Sequence, residues 1–193
     1  MRVIAGKFRS RRLQSLPGLD LRPTADRLRE TLFDVLCAGN PAALEESVWV
    51  DLYAGTGAVG IEAISRGAGA VFFVEMSARG AELIKKNLRS LGIETGFQVL
   101  TQDAIRALRN LEARAVRADF VFLDPPYNRE DAYRQTLAAL AKSNLLKPAS
   151  IVIAEHRSQF DPGETFGSLR RYRKLEQGGA VLSFYRRQSA SMA

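Results

Sequence analysis

A chain of 193 residues is long enough for one domain with a full hydrophobic core, and 46% apolar with 25% charged residues is the composition of a globular protein. No run of about 18 uncharged apolar residues occurs, the start MRVIAGKFRSRR has no stretch suited to a signal peptide, and the lone Cys37 excludes an internal disulfide or a cysteine-rich metal site; a cytoplasmic protein with no metal and no membrane contact is expected. Lys and Arg number 28 against 21 Asp and Glu, and this net charge of +7 favours a polyanionic partner.

The first twelve residues carry Arg2, Lys7, Arg9, Arg11 and Arg12 with no acid among them. Val3, Ile4, Phe8 and Leu13 are interleaved, a pattern that suits an ordered extended segment held against a polyanion better than a loose tail. In LRPTADRLRETLFDVL, Pro23 and Thr24 open a helix whose Leu28, Leu32, Val35 and Leu36 form an apolar face. Cys37 reads as a small buried residue near that helix's end.

From residue 48 short apolar runs alternate with helical patterns. Strands are expected at Val48 to Leu52, Ala70 to Glu75, Gly96 to Leu100, Asp119 to Leu123 and Ser150 to Ala154, with helices near 58–66, 78–91, 103–113 and 130–146. Such alternation implies an α/β fold, a mostly parallel sheet with helices on both faces. The end of the chain differs. RRYRKLEQGGAVLSFYRR predicts an antiparallel hairpin turning at Gln177-Gly178-Gly179. A second basic cluster, Arg170, Arg171, Arg173, Lys174, Arg186 and Arg187, suits a solvated face and a nucleic-acid contact equally. His156 reads as a capped or solvated residue at a strand end, and QSASMA as a disordered tail.

The stretch YAGTGAVGIEA holds Gly55, Gly57 and Gly60 between an apolar run and a helical one. Such a turn receives the pyrophosphate of a dinucleotide or the amino-acid end of S-adenosylmethionine. Glu75, after the second strand, suits the ribose of either. Asp51, four residues before Gly55, would repel a pyrophosphate, but it would balance a sulfonium and an ammonium or orient the turn. Asp103 follows the third strand, placed to accept from an adenine amino group and to cap the next helix.

FVFLDPPYN weighs most heavily between the two ligands. Four apolar residues lead to Asp124-Pro125-Pro126-Tyr127 at the C-terminal edge of a central strand, where open parallel sheets bind ligands. Two prolines stop the strand and stiffen it, leaving carbonyls that are expected to face no competing intrachain donor. An amino group on an aromatic base is a poor nucleophile, because its lone pair is delocalised into the ring. Asp124 and the Pro125 carbonyl, each accepting one N–H, would aim that lone pair at a methyl donor, and Tyr127 would stack on a flipped base.

MRVIAGKFRSRRL, LRPTADRLRETLFDVL, DLYAGTGAVGIEAISRGA and DPPY stand in the order and spacing of the RsmD-like 16S rRNA (guanine-N2) methyltransferases, which the chain resembles over nearly its whole length. The resemblance implies a class I, Rossmann-like methyltransferase fold with S-adenosylmethionine as donor. The acceptor it implies is a guanine N2 in 16S rRNA of the small ribosomal subunit, with ribosomal proteins as part of the recognised surface and the enzyme acting as a monomer. Residues 1–20 would form a basic hairpin extension, 21–187 the methyltransferase domain and 188–193 a disordered tail.

By matching motif positions, Asp51, Tyr53, Ala54, Gly55, Thr56 and Gly57 would lie at the methionine end of the cofactor. Glu75 and Met76 would lie at the ribose, Asp103 and Ala104 at the adenine, and Asp124, Pro125, Pro126 and Tyr127 at the target amine. Arg2, Lys7, Arg9, Arg11 and Arg12 would grip RNA outside the catalytic pocket, with Arg22, Thr24, Arg27 and Glu30 near its mouth. The chain departs from the family at Ala5 and Ser10, where glycine is common. Three other functions remain open on the residues alone: an adenine-N6 or cytosine-N4 methyltransferase, a non-catalytic ribosome-assembly factor, and a nicotinamide-dependent oxidoreductase.

Overall fold

The computed structural model describes residues 1–15, 23–126 and 128–188, the side chains of 23–25 excepted, so the expectations for Arg22, Tyr127 and the last five residues, and the side-chain role of Thr24, lie outside the described residues. The first helix, α1 (Pro23–Cys37), buries Leu28, Leu32, Phe33 and Leu36 along one stripe. Gly39 just beyond it takes φ +81°, the left-handed geometry that stops a helix at little cost. Cys37, at the helix end, is half-buried.

Then come β1 (Val48–Leu52), α2 (Ala58–Ser65), β2 (Ala70–Val74), α3 (Ala78–Ser90), β3 (Phe97–Leu100), α4 (Ala104–Ala113), β4 (Ala118–Leu123), α5 (Glu130–Lys142), β5 (Leu146–Arg157), β6 (Thr165–Phe166), β7 (Leu169–Gln177) and β8 (Ala180–Arg187). The sheet order is β3-β2-β1-β4-β5-β8-β7-β6, with β1 to β5 parallel and the last three strands antiparallel. Strand order reverses between β1 and β4, so the helices after them leave to opposite faces and open a crevice at the strands' C-terminal ends.

Strand alternation sorts the core into two layers. Trp49, Phe73, Phe120, Phe122, Ile153 and Phe184 pack against α1, α2 and α3 on one face, with Trp49 between Phe33 and Phe120 at ring separations of 5.3 Å. Val50, Leu52, Val121, Leu123, Val152 and Ala154 pack against α4 and α5 on the other. Asp51 falls on the first face, opposite Phe73 and Phe122 in the ladder.

Three sequence expectations change. The helix predicted through residue 146 ends at Lys142, and the fifth strand starts at Leu146 instead of Ser150. Leu145, in the turn after α5, and Leu146, the first residue of β5, are both buried and form an apolar pair that suits helix and strand equally. Pro148 is tolerated because the β4–β5 register shifts between Ala118 and Phe120, so no ladder bond is needed from the proline. His156 is fully buried, not solvated: its Nε2 lies 2.9 Å from Ser183 Oγ and its Nδ1 2.9 Å from the Arg157 carbonyl. Burial pushes the imidazole pKa below its ordinary value. The expected hairpin is present, with Gly178 and Gly179 at φ +61° and +81° joining β7 to β8.

Candidate active site

The N-terminal segment folds back on itself and docks on α2. Val3 N–H donates to the Arg11 carbonyl at 2.9 Å, Ser10 N–H to the Val3 carbonyl at 2.9 Å and Leu13 N–H to the Met1 carbonyl at 3.1 Å. Ser10 reaches φ +67°, so a non-glycine residue occupies the left-handed position at one of the two departures from the family. Gly6 approaches α2 so closely that an added Cβ would lie 1.8 Å from the Ser65 carbonyl oxygen.

Glu62 anchors the arm. Fully buried on α2, its carboxylate accepts from Ile4 N–H at 2.7 Å, Ala5 N–H at 3.0 Å and Arg66 Nε at 2.8 Å. The five basic side chains Arg2, Lys7, Arg9, Arg11 and Arg12 all face solvent, and Arg27 is exposed on α1.

A cavity of about 810 Å³ opens at the reversal of strand order. Its floor is the loop after β1, where Tyr53, Gly55 and Gly57 all have positive φ, at +64°, +54° and +77°. The buried Asp51 accepts from Gly60 N–H at 2.9 Å and pins this turn to α2, while Gly60 sits so tightly on Phe73 that a Cβ there would lie 2.3 Å from the ring. Across the turn, Glu75 accepts from Gly55 N–H at 3.0 Å and from Ser77 N–H at 2.8 Å. Asp103 lines the cavity and caps α4, accepting from Arg106 N–H at 2.9 Å. Tyr53 is held by its hydroxyl, 2.8 Å from Thr136 Oγ1. Ala54, Thr56, Met76 and Ala104 complete the expected cofactor residues on the cavity wall, with Gly57 behind it as the N-cap of α2.

Asp124, Pro125 and Pro126 line the cavity beside these residues. The proline carbonyls are not without partners, as the sequence suggested: Tyr133 Oη donates to the Pro125 carbonyl at 3.3 Å, and Arg129 N–H to that of Pro126 at 2.8 Å. α5 brings Tyr133 back beneath the proline turn, while Arg129, three residues after Pro126, closes a local turn. A carbonyl oxygen has two lone pairs, so that of Pro125 retains capacity for a second donor.

Among the wall residues that escaped the sequence reading are Met1, Arg29 and Glu155. Met1 lines the cavity, its sulfur 3.5 Å from Thr56 Oγ1, which places the start of the basic arm at the pocket and not outside it. Arg29 of α1 is only 6% exposed, donates to the Arg2 carbonyl at 2.6 Å and pairs with Asp26 at 3.0 Å. Glu155, inside β5, stands one residue past the last β4–β5 ladder pair, as Asp124 does at the end of β4. Each of the three was legible only as a charge or an end residue.

Acids dominate the wall: Asp51, Glu75, Asp103, Asp124 and Glu155 against Arg29 and Arg129. Burial pushes Asp51 up to about 7, opposed by the Gly60 amide and reinforced by Glu75. Burial likewise holds Glu155 at about 7 against the pull of Arg29, and raises Asp124 well above the carboxylate range, with Glu155 and Asp51 adding repulsion. A pyrophosphate would meet these carboxylates at a turn whose Gly55 amide already faces Glu75. A cationic sulfonium with an ammonium would relieve them, so the donor set fits S-adenosylmethionine and opposes a dinucleotide. Among the described residues no group of His, Cys, Asp and Glu is arranged to hold a metal, and no helix is long and apolar enough to cross a membrane.

A family model described as "Conserved hypothetical protein 95" matches residues 1–186. The chain is 36% identical over 156 residues to ribosomal RNA small subunit methyltransferase D of Haemophilus influenzae, covering 80% of this chain and 78% of that protein. It is 32% identical over 188 residues to YlbH of Bacillus subtilis, covering 97% and 100%. Among solved structures, yhhF of Escherichia coli superposes with a TM-score of 0.80 at 27% identity, covering 97% of this chain and 98% of that one. Fold, glycine turn, proline motif and arm thus agree along the chain, which belongs to the RsmD-like methyltransferase family, with S-adenosylmethionine as its methyl donor.

Proposed function

We propose that the protein transfers a methyl group to the exocyclic N2 of a guanine in the RNA of the small ribosomal subunit. The observation that carries this reading is the meeting, at one reversal of strand order, of an acid-lined glycine turn with Asp124-Pro125-Pro126. The name of the Haemophilus influenzae relative supports the choice of small-subunit rRNA as the acceptor. When bound, S-adenosylmethionine supplies an electrophilic methyl carbon on a cationic sulfur. Asp51 holds the turn in shape through Gly60 and offers negative charge to the methionine end. Glu75 takes the ribose hydroxyls, with Met76 beside it, and Asp103 with Ala104 takes the adenine.

Asp124 and the Pro125 carbonyl accept the two N–H bonds of the target amine and turn its lone pair toward the methyl carbon. The N2–carbon bond would form as the carbon–sulfur bond broke, its electron pair remaining on sulfur. Positive charge then grows on N2 next to Asp124, which stabilises it, and the spare proton leaves to solvent. Tyr127 stacks on the extruded base. The exposed Arg2, Lys7, Arg9, Arg11, Arg12 and Arg27, with Arg22 and Thr24, contact phosphates, so that residues 1–20 act as an RNA-binding extension of a 21–187 catalytic domain.

Incubation with labelled S-adenosylmethionine and either small subunits, naked rRNA or DNA, followed by mapping of the modified base, tests the proposal. N2-methylguanosine in small-subunit RNA is expected. Label in DNA, or on the amino group of adenine or cytosine, would overturn it.

A further inference from the structure

We propose that Glu155 is a specificity-determining residue that accepts the N1–H of the target guanine while Asp124 beside it accepts from the N2 amine. This assignment rests on the guanine-N2 reading above and deepens it.

The register supplies the placement. Leu123 and Ala154 are partners in the β4–β5 ladder, so Asp124 and Glu155 are the next residues on two adjacent parallel strands. Alternation puts both on the face of Phe122 and Ile153, under α1, and both line the cavity. Neighbouring strands lie about 4.8 Å apart, near enough for the two side chains to converge on one base edge.

Their partners set these two acids apart from the others. Asp51, Glu75 and Asp103 each accept from backbone amides of the fold. Among the described residues Asp124 and Glu155 accept none, and the forces on them are burial and neighbouring charge alone. Two half-buried carboxylates on the cavity wall with no donor from the fold are free to accept N–H groups from a ligand. Arg29, buried and held by the Arg2 carbonyl and Asp26, favours the ionised form of Glu155.

Guanine is the base that satisfies such a pair. Its Watson–Crick edge presents N1–H next to the N2 amine, two adjacent sources of donors. Adenine places a lone pair at N1 beside its amine, and cytosine a lone pair at N3. An ionised Glu155 therefore accepts from guanine and repels the other two bases, a discrimination that Asp124 alone does not provide, because every exocyclic amine offers it the same N–H groups.

The test uses small subunits reconstituted with guanine or 2-aminopurine at the methylated position. 2-Aminopurine keeps the 2-amino group but carries a lone pair at N1. The wild-type protein is expected to prefer guanine in kcat/KM by about 10- to 100-fold, the effect of one hydrogen bond to a charged group. Glu155→Gln, whose amide can donate to N1, is expected to narrow or invert that preference while S-adenosylmethionine still binds in a calorimetric titration. Glu155→Ala should lose guanine turnover without gaining 2-aminopurine turnover. An unchanged preference in Glu155→Gln, or loss of cofactor binding and thermal stability in both variants, would overturn the assignment. A wild-type product other than N2-methylguanosine would instead overturn the guanine-N2 reading on which it rests.

Discussion

The backbone N–H of Ile4 donates to the buried Glu62 carboxylate at 2.7 Å across 58 residues of sequence, tying the basic arm to the helix that follows the glycine turn. Glu62→Ala would leave the amides of Ile4 and Ala5 and the Arg66 guanidinium without their acceptor. A loss of about 3 kcal/mol or more in equilibrium denaturation is expected, because the removed group is a fully buried, charged, multiply bonded partner. A loss below about 1 kcal/mol would mean that burial of Val3 and Leu13 holds the arm by itself.

Removing residues 1–12 should weaken S-adenosylmethionine binding as well as stability. Met1 lines the cavity, and Arg29, another wall residue, donates to the Arg2 carbonyl. Calorimetry on the truncated protein checks this; undiminished affinity would show the cavity to be complete without the arm.

Changing Lys7, Arg9 and Arg12 together to Gln separates the arm's charge from its packing. These side chains are exposed, so cofactor affinity should be retained. Binding to small subunits should weaken, and its salt dependence should flatten by roughly 0.7 to 0.9 log units for each phosphate that is no longer neutralised. A salt slope identical to wild type would shift the RNA contact to Arg170, Arg173 and Arg186 near the C-terminus, where Arg186 lies over the exposed Tyr172 ring at 4.4 Å.

Asp124→Ala should abolish methyl transfer while cofactor binding survives. The carboxylate lines the cavity and anchors no backbone amide, so on the proposed reading its loss removes transition-state stabilisation of about 2 to 4 kcal/mol, by analogy with lost oxyanion donors. Single-turnover kinetics with saturating donor gives the answer, and near-normal turnover would strip the motif of its catalytic role.

Glu75→Ala should weaken the donor's affinity more than the chemical step at saturation. Two charge-assisted hydrogen bonds to the ribose would go, each worth about 1.5 to 3 kcal/mol. The Gly55 and Ser77 amides would also lose the acceptor that shapes the turn. If titration shows full affinity, the ribose is held by other groups.

Asp51 and Glu155, both raised to about 7, make the stability of the ligand-free protein depend on pH in a definite direction. Between the ordinary carboxylate range and about 7 the folded state binds more protons than the unfolded one, so stability is greatest at the acid end of that window. It should fall by on the order of 2 kcal/mol or more as pH rises from 5 to 8. A cationic ligand favours the ionised carboxylates, so S-adenosylmethionine affinity should rise over the same range, with protons released on binding. Thermal melts and titrations at pH 5.5, 7 and 8.5 check both signs, and Asp51→Asn should blunt both trends.

What depends on neighbours in sequence was legible in the sequence. The alternation of apolar runs gave the parallel strands, Asp103 capped its helix through Arg106 three residues on, and Gly178-Gly179 turned the hairpin because both positions need positive φ. The glycine turn and Asp124-Pro125-Pro126 stand at strand ends, where the βα repeat puts ligand sites. What depends on distant segments was decided by the tertiary structure. Tyr133 reaches the Pro125 carbonyl because α5 folds back beneath it, and Glu62 on the short α2 is fully buried where the arm docks on it. Met1, Arg29 and Glu155 become one wall only when α1 packs over the β4–β5 edge. Local propensity and spacing act over a few residues, whereas burial, and with it the charge state of Asp51, Asp124 and Glu155, depends on which far parts of the chain exclude water from the same place.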